Sequence, residues 1–216
     1  KIILLLMGKP CFLSLSDLAF AGFDEVFQRP FYVGIAGGIG STTWRGLVPP
    51  NEKQNMAMNV STPIDVNEGG AVFGPFVGYE FTRFFALEAN YRHYHEANGI
   101  FDQDSRVAFE HDDNASFQTD TETLNLMAKV MLVIPRTSLR LYSSAGIAGI
   151  HRDDSLNRQW QPAPTFGAGF NYSITEHWMA ECGFNYTAGY GESELNPAND
   201  YVPFLYSAVL SIAYRF

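Results

Sequence analysis

The chain has 216 residues, enough for one domain, and a formal net charge of −9. Charged residues make up only 17%, and the longest uninterrupted apolar run is Ile2–Met7, which excludes a membrane helix of roughly 20 apolar residues. The acidity argues against a nucleic-acid partner.

Residues 1–21 read as a secretory signal peptide. Lys1 is the remnant of a basic region. Ile2–Met7 and Phe12–Leu18 are its apolar stretches, interrupted by Gly8-Lys9-Pro10. Ala19-Phe20-Ala21 is the cleavage site. Lys9 and Pro10 before Cys11 do not fit lipidation. Removal of this segment leaves Cys182 as the one cysteine, so no intramolecular disulfide forms, and takes the net charge to −10. Residues 22–30 are a short periplasmic lead-in.

From residue 31 onward the chain alternates with a period of two, the signature of strands with one apolar face. Phe31, Val33, Ile35 and Ile39 share one face; Tyr32, Gly34, Ala36, Gly38 and Gly40 share the other, which suits the crowded interior of a narrow barrel. After a polar stretch, Phe73, Pro75, Val77 and Tyr79 alternate with Gly74, Phe76, Gly78 and Glu80. A short turn leads to Phe85, Leu87, Ala89 and Tyr91 against Ala86, Glu88, Asn90 and Arg92. The fourth strand sets Leu124, Leu126, Ala128, Val130 and Leu132 against Asn125, Met127, Lys129 and Met131. The fifth, after a turn at Pro135-Arg136-Thr137, sets Leu139, Leu141, Ala145 and Ile147 against Arg140, Tyr142, Ser144 and Gly146. Phe166, Ala168, Phe170 and Tyr172 mark the sixth, and Trp178, Ala180, Cys182, Phe184 and Tyr186 the seventh, whose other face carries Met179, Glu181, Gly183 and Asn185. The last strand has Phe204, Tyr206, Ala208, Leu210, Ile212, Tyr214 and Phe216 on one face and Arg215 on the other.

This pattern predicts an all-β fold, an eight-stranded antiparallel transmembrane barrel over residues 31–216. Connections alternate long and short, with residues 45–69, 93–121, 151–164 and 189–203 as the long, cell-exposed ones, as an outer-membrane barrel requires. The strands are about 9–13 residues long, and a tilted membrane-spanning strand needs about 9–11. A soluble barrel would place the apolar face inside. Glu80, Glu88, Arg92, Lys129, Arg140, Glu181 and Arg215 all fall on the polar faces, which favours the inside-out arrangement.

The segments Gly78–Tyr91 and Ser144–Gly149, together with the terminal Phe, resemble the small eight-stranded barrels of the outer membrane protein A transmembrane-domain and opacity-protein superfamily. The resemblance implies the outer membrane of a Gram-negative bacterium. It implies contact with lipid and lipopolysaccharide, a lumenal charge cluster, and a structural or surface-interaction role. Leu210, Ile212, Tyr214 and Phe216 match the family's C-terminal signal for the outer-membrane assembly machinery. Any surface ligand is expected on the long loops, and the barrel is expected to be a monomer. The resemblance does not reach the peptidoglycan-binding domain of outer membrane protein A, so cell-wall tethering is not expected.

No catalytic, cofactor or metal site is expected. His93 and His95 form an H-x-H pair near the membrane rim, which reads as interfacial decoration. His111-Asp112-Asp113 and His151-Arg152-Asp153-Asp154 could serve an outer-membrane hydrolase, the alternative reading alongside a narrow pore. The His-x-Ser motif of lipid A deacylases is absent, as is Gly-x-Ser-x-Gly. Depth counted from the short turns places Glu88, Lys129, Arg140 and Glu181 in one lumenal ion-pair cluster, with Arg92 above it and Glu80 and Arg215 nearer the periplasmic mouth.

Overall fold

Each alternating segment forms a strand in the computed structural model, which describes residues 29–43, 65–100, 103, 116–154, 158–189 and 202–216. The proposed signal peptide and residues 22–28 lie outside the described residues. The strands are β1 (Phe31–Thr43), β2 (Asp65–Asn67), β3 (Gly69–Thr82), β4 (Phe85–Ile100), β5 (Ser116–Val133), β6 (Leu139–Asp154), β7 (Arg158–Ser173), β8 (Trp178–Thr187) and β9 (Phe204–Arg215). All pairings are antiparallel. β1 pairs with both β3 and β9, and β4 with β5, so the sheet closes on itself. Eight strands make the wall. β2, separated from β3 by Glu68, pairs with the outer end of β4 and prolongs β3. Closure leaves the wall no open edge within lipid, where an unpaired backbone group would cost several kcal/mol.

The faces follow the alternation. Ile39, Leu210 and Ile147 are about two-thirds exposed on the outside, whereas Tyr32, Met179 and Leu205 are buried inside. The lumen is therefore the core. It holds Glu80, Glu88, Arg92, Lys129, Arg140, Glu181 and Arg215, each at most 9% exposed. Cys182 stands on the outer wall as a half-buried free thiol.

Three differences from the sequence reading concern the outer end. First, residues 151–164 are not a loop: His151 pairs with Trp160, Arg152 with Gln159 and Asp153 with Arg158, which leaves 155–157 as the connection. Pro162 and Pro164 each lack a ladder donor. The Pro164 carbonyl accepts from Ala188 N on the β8 side, so both prolines turn their donorless nitrogens to that side, where the β7–β8 ladder stops at Thr165–Thr187. The ladder to β6 loses nothing. Second, β4 and β5 run on to Ile100 and back from Ser116 through sequence polar on both faces. Polar side chains permit a strand once it has left the lipid. Third, a bulge between Tyr94 and Ala97 shifts the alternation, burying Ala97 and Gly99.

Candidate functional site

The lumenal charges form two groups, one above the other. The outer group centres on Lys129 of β5. Its Nζ lies 2.8 Å from Glu88 Oε2 on neighbouring β4 and 2.9 Å from both oxygens of Glu181 on β8, across the barrel. All three side chains are at most 8% exposed. The Tyr32 hydroxyl donates to Glu88 Oε2 at 3.0 Å, and the Tyr142 side chain lies beside Glu181. Lys129 Nζ also sits 4.2 Å from the centre of the Tyr142 ring, within cation–π range. Asn90 Nδ2 donates to Glu88 Oε1 at 3.3 Å and receives Asn125 Nδ2 on its own oxygen at 2.7 Å. Every carboxylate oxygen of the group thus accepts at least one hydrogen bond, as burial in a narrow interior demands.

Two glycines make this arrangement possible. A Cβ at Gly78 would overlap the Tyr32 ring, and one at Gly183 would overlap the Tyr142 hydroxyl. With hydrogen in those places, both tyrosines lie flat across the lumen and bring their hydroxyls to the two carboxylates.

The inner group centres on Glu80 of β3. Arg140 grips it in bidentate fashion, Nη1 to Oε2 at 3.1 Å and Nη2 to Oε1 at 2.7 Å, and Arg215 Nη2 adds a contact to Oε1 at 2.9 Å. Arg140 Nε donates to Asn171 Oδ1 at 2.9 Å. Met179 Sδ lies 3.7 Å from Arg140 Nη2 and 3.0 Å from Arg215 Nη2.

Arg140 therefore does not join Lys129, Glu88 and Glu181; it belongs with Glu80 and Arg215. The ladder explains the difference. Lys129 stands opposite Ser144, two inward positions further from the turn than Arg140. Counting from each turn ignores this stagger between neighbouring strands. Arg92 lies above both groups and, among the described residues, reaches no carboxylate at hydrogen-bond distance. Its Nη1 donates to the carbonyls of Tyr91 at 3.2 Å and Gly74 at 3.5 Å. Gly74 and Pro75 are skipped in the β3–β4 pairing.

Tyr32, Tyr142, Asn90, Asn125 and Asn171 take part in this network and were not singled out from the sequence. Their strand parity pointed them inward; only the three-dimensional register shows what they meet. At the outer end Asp153 is held by Arg158 (2.7 Å) and Asp154 by Arg152. His111, Asp112 and Asp113 lie outside the described residues.

The family model for the outer membrane protein beta-barrel domain matches residues 11–216. Among solved structures, the N-terminal β-barrel domain of Pseudomonas aeruginosa OprF is 18% identical, with 87% of this chain and 98% of that one covered and a TM-score of 0.50. OprG from the same organism is 13% identical over 87% and 97% of the two chains, with a TM-score of 0.52. Neisserial surface protein A is 10% identical over 86% and 97%, with a TM-score of 0.50. At these identities the likeness is one of fold. A comparison with curated protein sequences finds no match.

Proposed function

The chain belongs to the outer membrane protein β-barrel family, and from that premise we propose that it is a plugged barrel with a structural and surface-contact role, neither an open pore nor a hydrolase. Its place is the outer membrane of a Gram-negative bacterium. The observation that carries the reading is the Lys129–Glu181 contact, which joins opposite walls of the barrel at 2.9 Å. With Glu88, Tyr32 and Tyr142 beside it and the Glu80–Arg140–Arg215 group beneath, side chains fill the cross-section at two levels. An eight-stranded interior is only about wide enough for side chains. The connections outside the membrane are then the surface left for recognition. Leu210, Ile212 and Tyr214 on the outward face of β9, with Phe216 just after it, serve in this reading as the contact for the assembly machinery, and the barrel works as a monomer.

The test is conductance. The refolded full chain in a planar bilayer should give no large, steady current; such a current would overturn the plugged barrel. The surface role is tested by replacing residues 44–64, 101–115 and 190–201 in turn with short glycine–serine turns. At least one replacement should abolish adhesion of expressing cells to a host-matrix surface. Unchanged adhesion in all three, or hydrolysis of lipid A or peptide by the wild type, counts against it.

A further inference from the structure

One exterior rung breaks with the apolar wall beneath it. The outward positions below it are Leu87, Ala89 and Tyr91 on β4, Leu132 to Leu124 on β5, and Leu141 to Gly149 on β6, with Ser143 the one hydroxyl-bearing aliphatic side chain among them. The next outward positions are His93, Glu122 and His151. The ladder sets them side by side: Phe73 opposite His93, His93 opposite Glu122, Glu122 opposite His151 and His151 opposite Trp160. Glu122 lies ten residues along β5 from Leu132, about 23 Å up a strand tilted by about 45°, where the apolar band of such a barrel ends.

The two imidazoles flank one carboxylate. His93 Nδ1 is 3.6 Å from Glu122 Oε1, and His151 Nδ1 is 3.8 Å from Oε2. Aromatic rings back both histidines: Phe73 against His93 with centroids 5.2 Å apart, and Trp160 stacked on His151 at 4.9 Å and 24°. Tyr91, opposite Leu124, stands on the outward rung just below. His95 is not part of the rung, because the bulge between Tyr94 and Ala97 displaces it. The H-x-H pair of the sequence is thus replaced by a different set, drawn from three strands.

Two imidazoles and a carboxylate are the donors that zinc, cobalt, nickel and copper take, whereas calcium and magnesium prefer all-oxygen sites. Around a tetrahedral ion with bonds of about 2.0–2.2 Å, neighbouring donors stand about 3.4 Å apart. The two contacts observed exceed that by only a few tenths of an ångström. Directly opposed residues on a rung have Cβ atoms about 5 Å apart, so imidazoles on either side of Glu122 can reach a common point above its carboxylate. The donors do not converge on one point as they stand. Convergence needs both rings to turn toward Glu122, on an open wall where the three side chains are 21–34% exposed. The next outward rung adds Asp120 and Asp153, the latter held by Arg158. The local field is acidic and favours a cation.

We propose that His93, Glu122 and His151 form a divalent transition-metal site on the outer wall, at the lipid–water boundary, with a fourth coordination position facing outward. The test uses the refolded full chain in detergent micelles, titrated with cobalt chloride and then zinc chloride. Cobalt d–d absorption and quenching of tryptophan fluorescence, through Trp160 beside His151, should report one ion per chain. His93→Ala and His151→Ala should each weaken binding by more than about tenfold. His95→Ala should not change it, and excess magnesium should not displace the ion. Heat-modifiable migration checks the fold of each variant, and Glu122→Gln takes the place of any that fails. Absence of binding by the wild type at millimolar metal would overturn the proposal. So would equal binding by the His93→Ala/His151→Ala double variant, or by Glu122→Gln if that is the variant used.

Discussion

Lys129 on β5 and Glu181 on β8 meet at 2.9 Å although the two strands are not neighbours in the sheet. The contact spans the lumen, and Glu88 takes a share of the same ammonium at 2.8 Å. Two carboxylates on one lysine leave the trio with a formal charge of −1. Arg92 above, buried and with no carboxylate at contact distance among the described residues, supplies the compensating charge.

Removing Lys129 should therefore be costly. Lys129→Ala leaves two carboxylates facing each other in a closed interior, and breaking a buried pair by removing one partner typically costs about 3–5 kcal/mol. Urea unfolding of the refolded barrel should show a loss of that order, against little change for alanine substitutions in residues 44–64. Adding Glu88→Gln and Glu181→Gln to Lys129→Ala should recover part of the loss, since no charge is then stranded. A single variant as stable as the wild type would show that the trio contributes nothing to the closed lumen.

The inner group should answer asymmetrically. Glu80→Gln strands two guanidinium groups, whereas Arg215→Gln leaves the bidentate Arg140–Glu80 pair in place. Glu80→Gln should be the more destabilising of the two by about 2 kcal/mol. The reverse order in denaturant midpoints at equal slope would mean that Arg215, not Glu80, is the hub.

The architecture was legible from the sequence because strand parity is a local property. Glu88 and Lys129 point inward for the same reason that Leu87 and Val130 point outward, and no knowledge of neighbouring strands is needed. Pairing within the lumen is different. Arg140 goes to Glu80 rather than Glu181 because of the stagger between strands, which the turns do not reveal. Tyr32 and Tyr142 reach their carboxylates only because Gly78 and Gly183 face them from other strands. The outer extensions of β4 to β7 were hidden for another reason. Above the lipid a strand no longer needs an apolar face, so the period-two signal fades while the ladder continues. The rung of His93, Glu122 and His151 lies in that zone, its members 29 residues apart in sequence and adjacent only through register.

The topology makes a protease prediction. The short turns at 83–84, 134–138 and 174–177 share one end of the barrel, and the strand ends that flank 44–64, 101–115, 155–157 and 190–201 share the other. Trypsin added to intact cells should cut after Lys53 and Arg106 and spare Arg83 and Arg136; permeabilised cells should show cuts at the latter pair as well. Cleavage at Arg83 or Arg136 in intact cells would reverse the orientation.

Phe216 should matter more to assembly than to stability. It follows β9, the strand that closes the barrel against β1, and its backbone nitrogen donates to the Phe31 carbonyl at 2.9 Å. Its ring lies 5.9 Å from that of Phe31 and 5.1 Å from that of Tyr214, which in turn meets Trp178 at 5.2 Å. Aromatic pairs of this kind contribute about 0.5–1.5 kcal/mol each beyond their buried area, so Phe216→Ala should shift the unfolding midpoint of a barrel refolded in vitro only modestly. In cells the same substitution should leave most of the protein unassembled if Leu210, Ile212, Tyr214 and Phe216 are the face that the assembly machinery reads. Phe166→Ala, which removes a comparably exposed ring from β7, should assemble normally and serves as the control. The readout is heat-modifiable migration in outer-membrane fractions. Equal assembly of the two variants, or a loss in cells no larger than the loss in vitro, would reduce Phe216 to one more aromatic residue of the girdle.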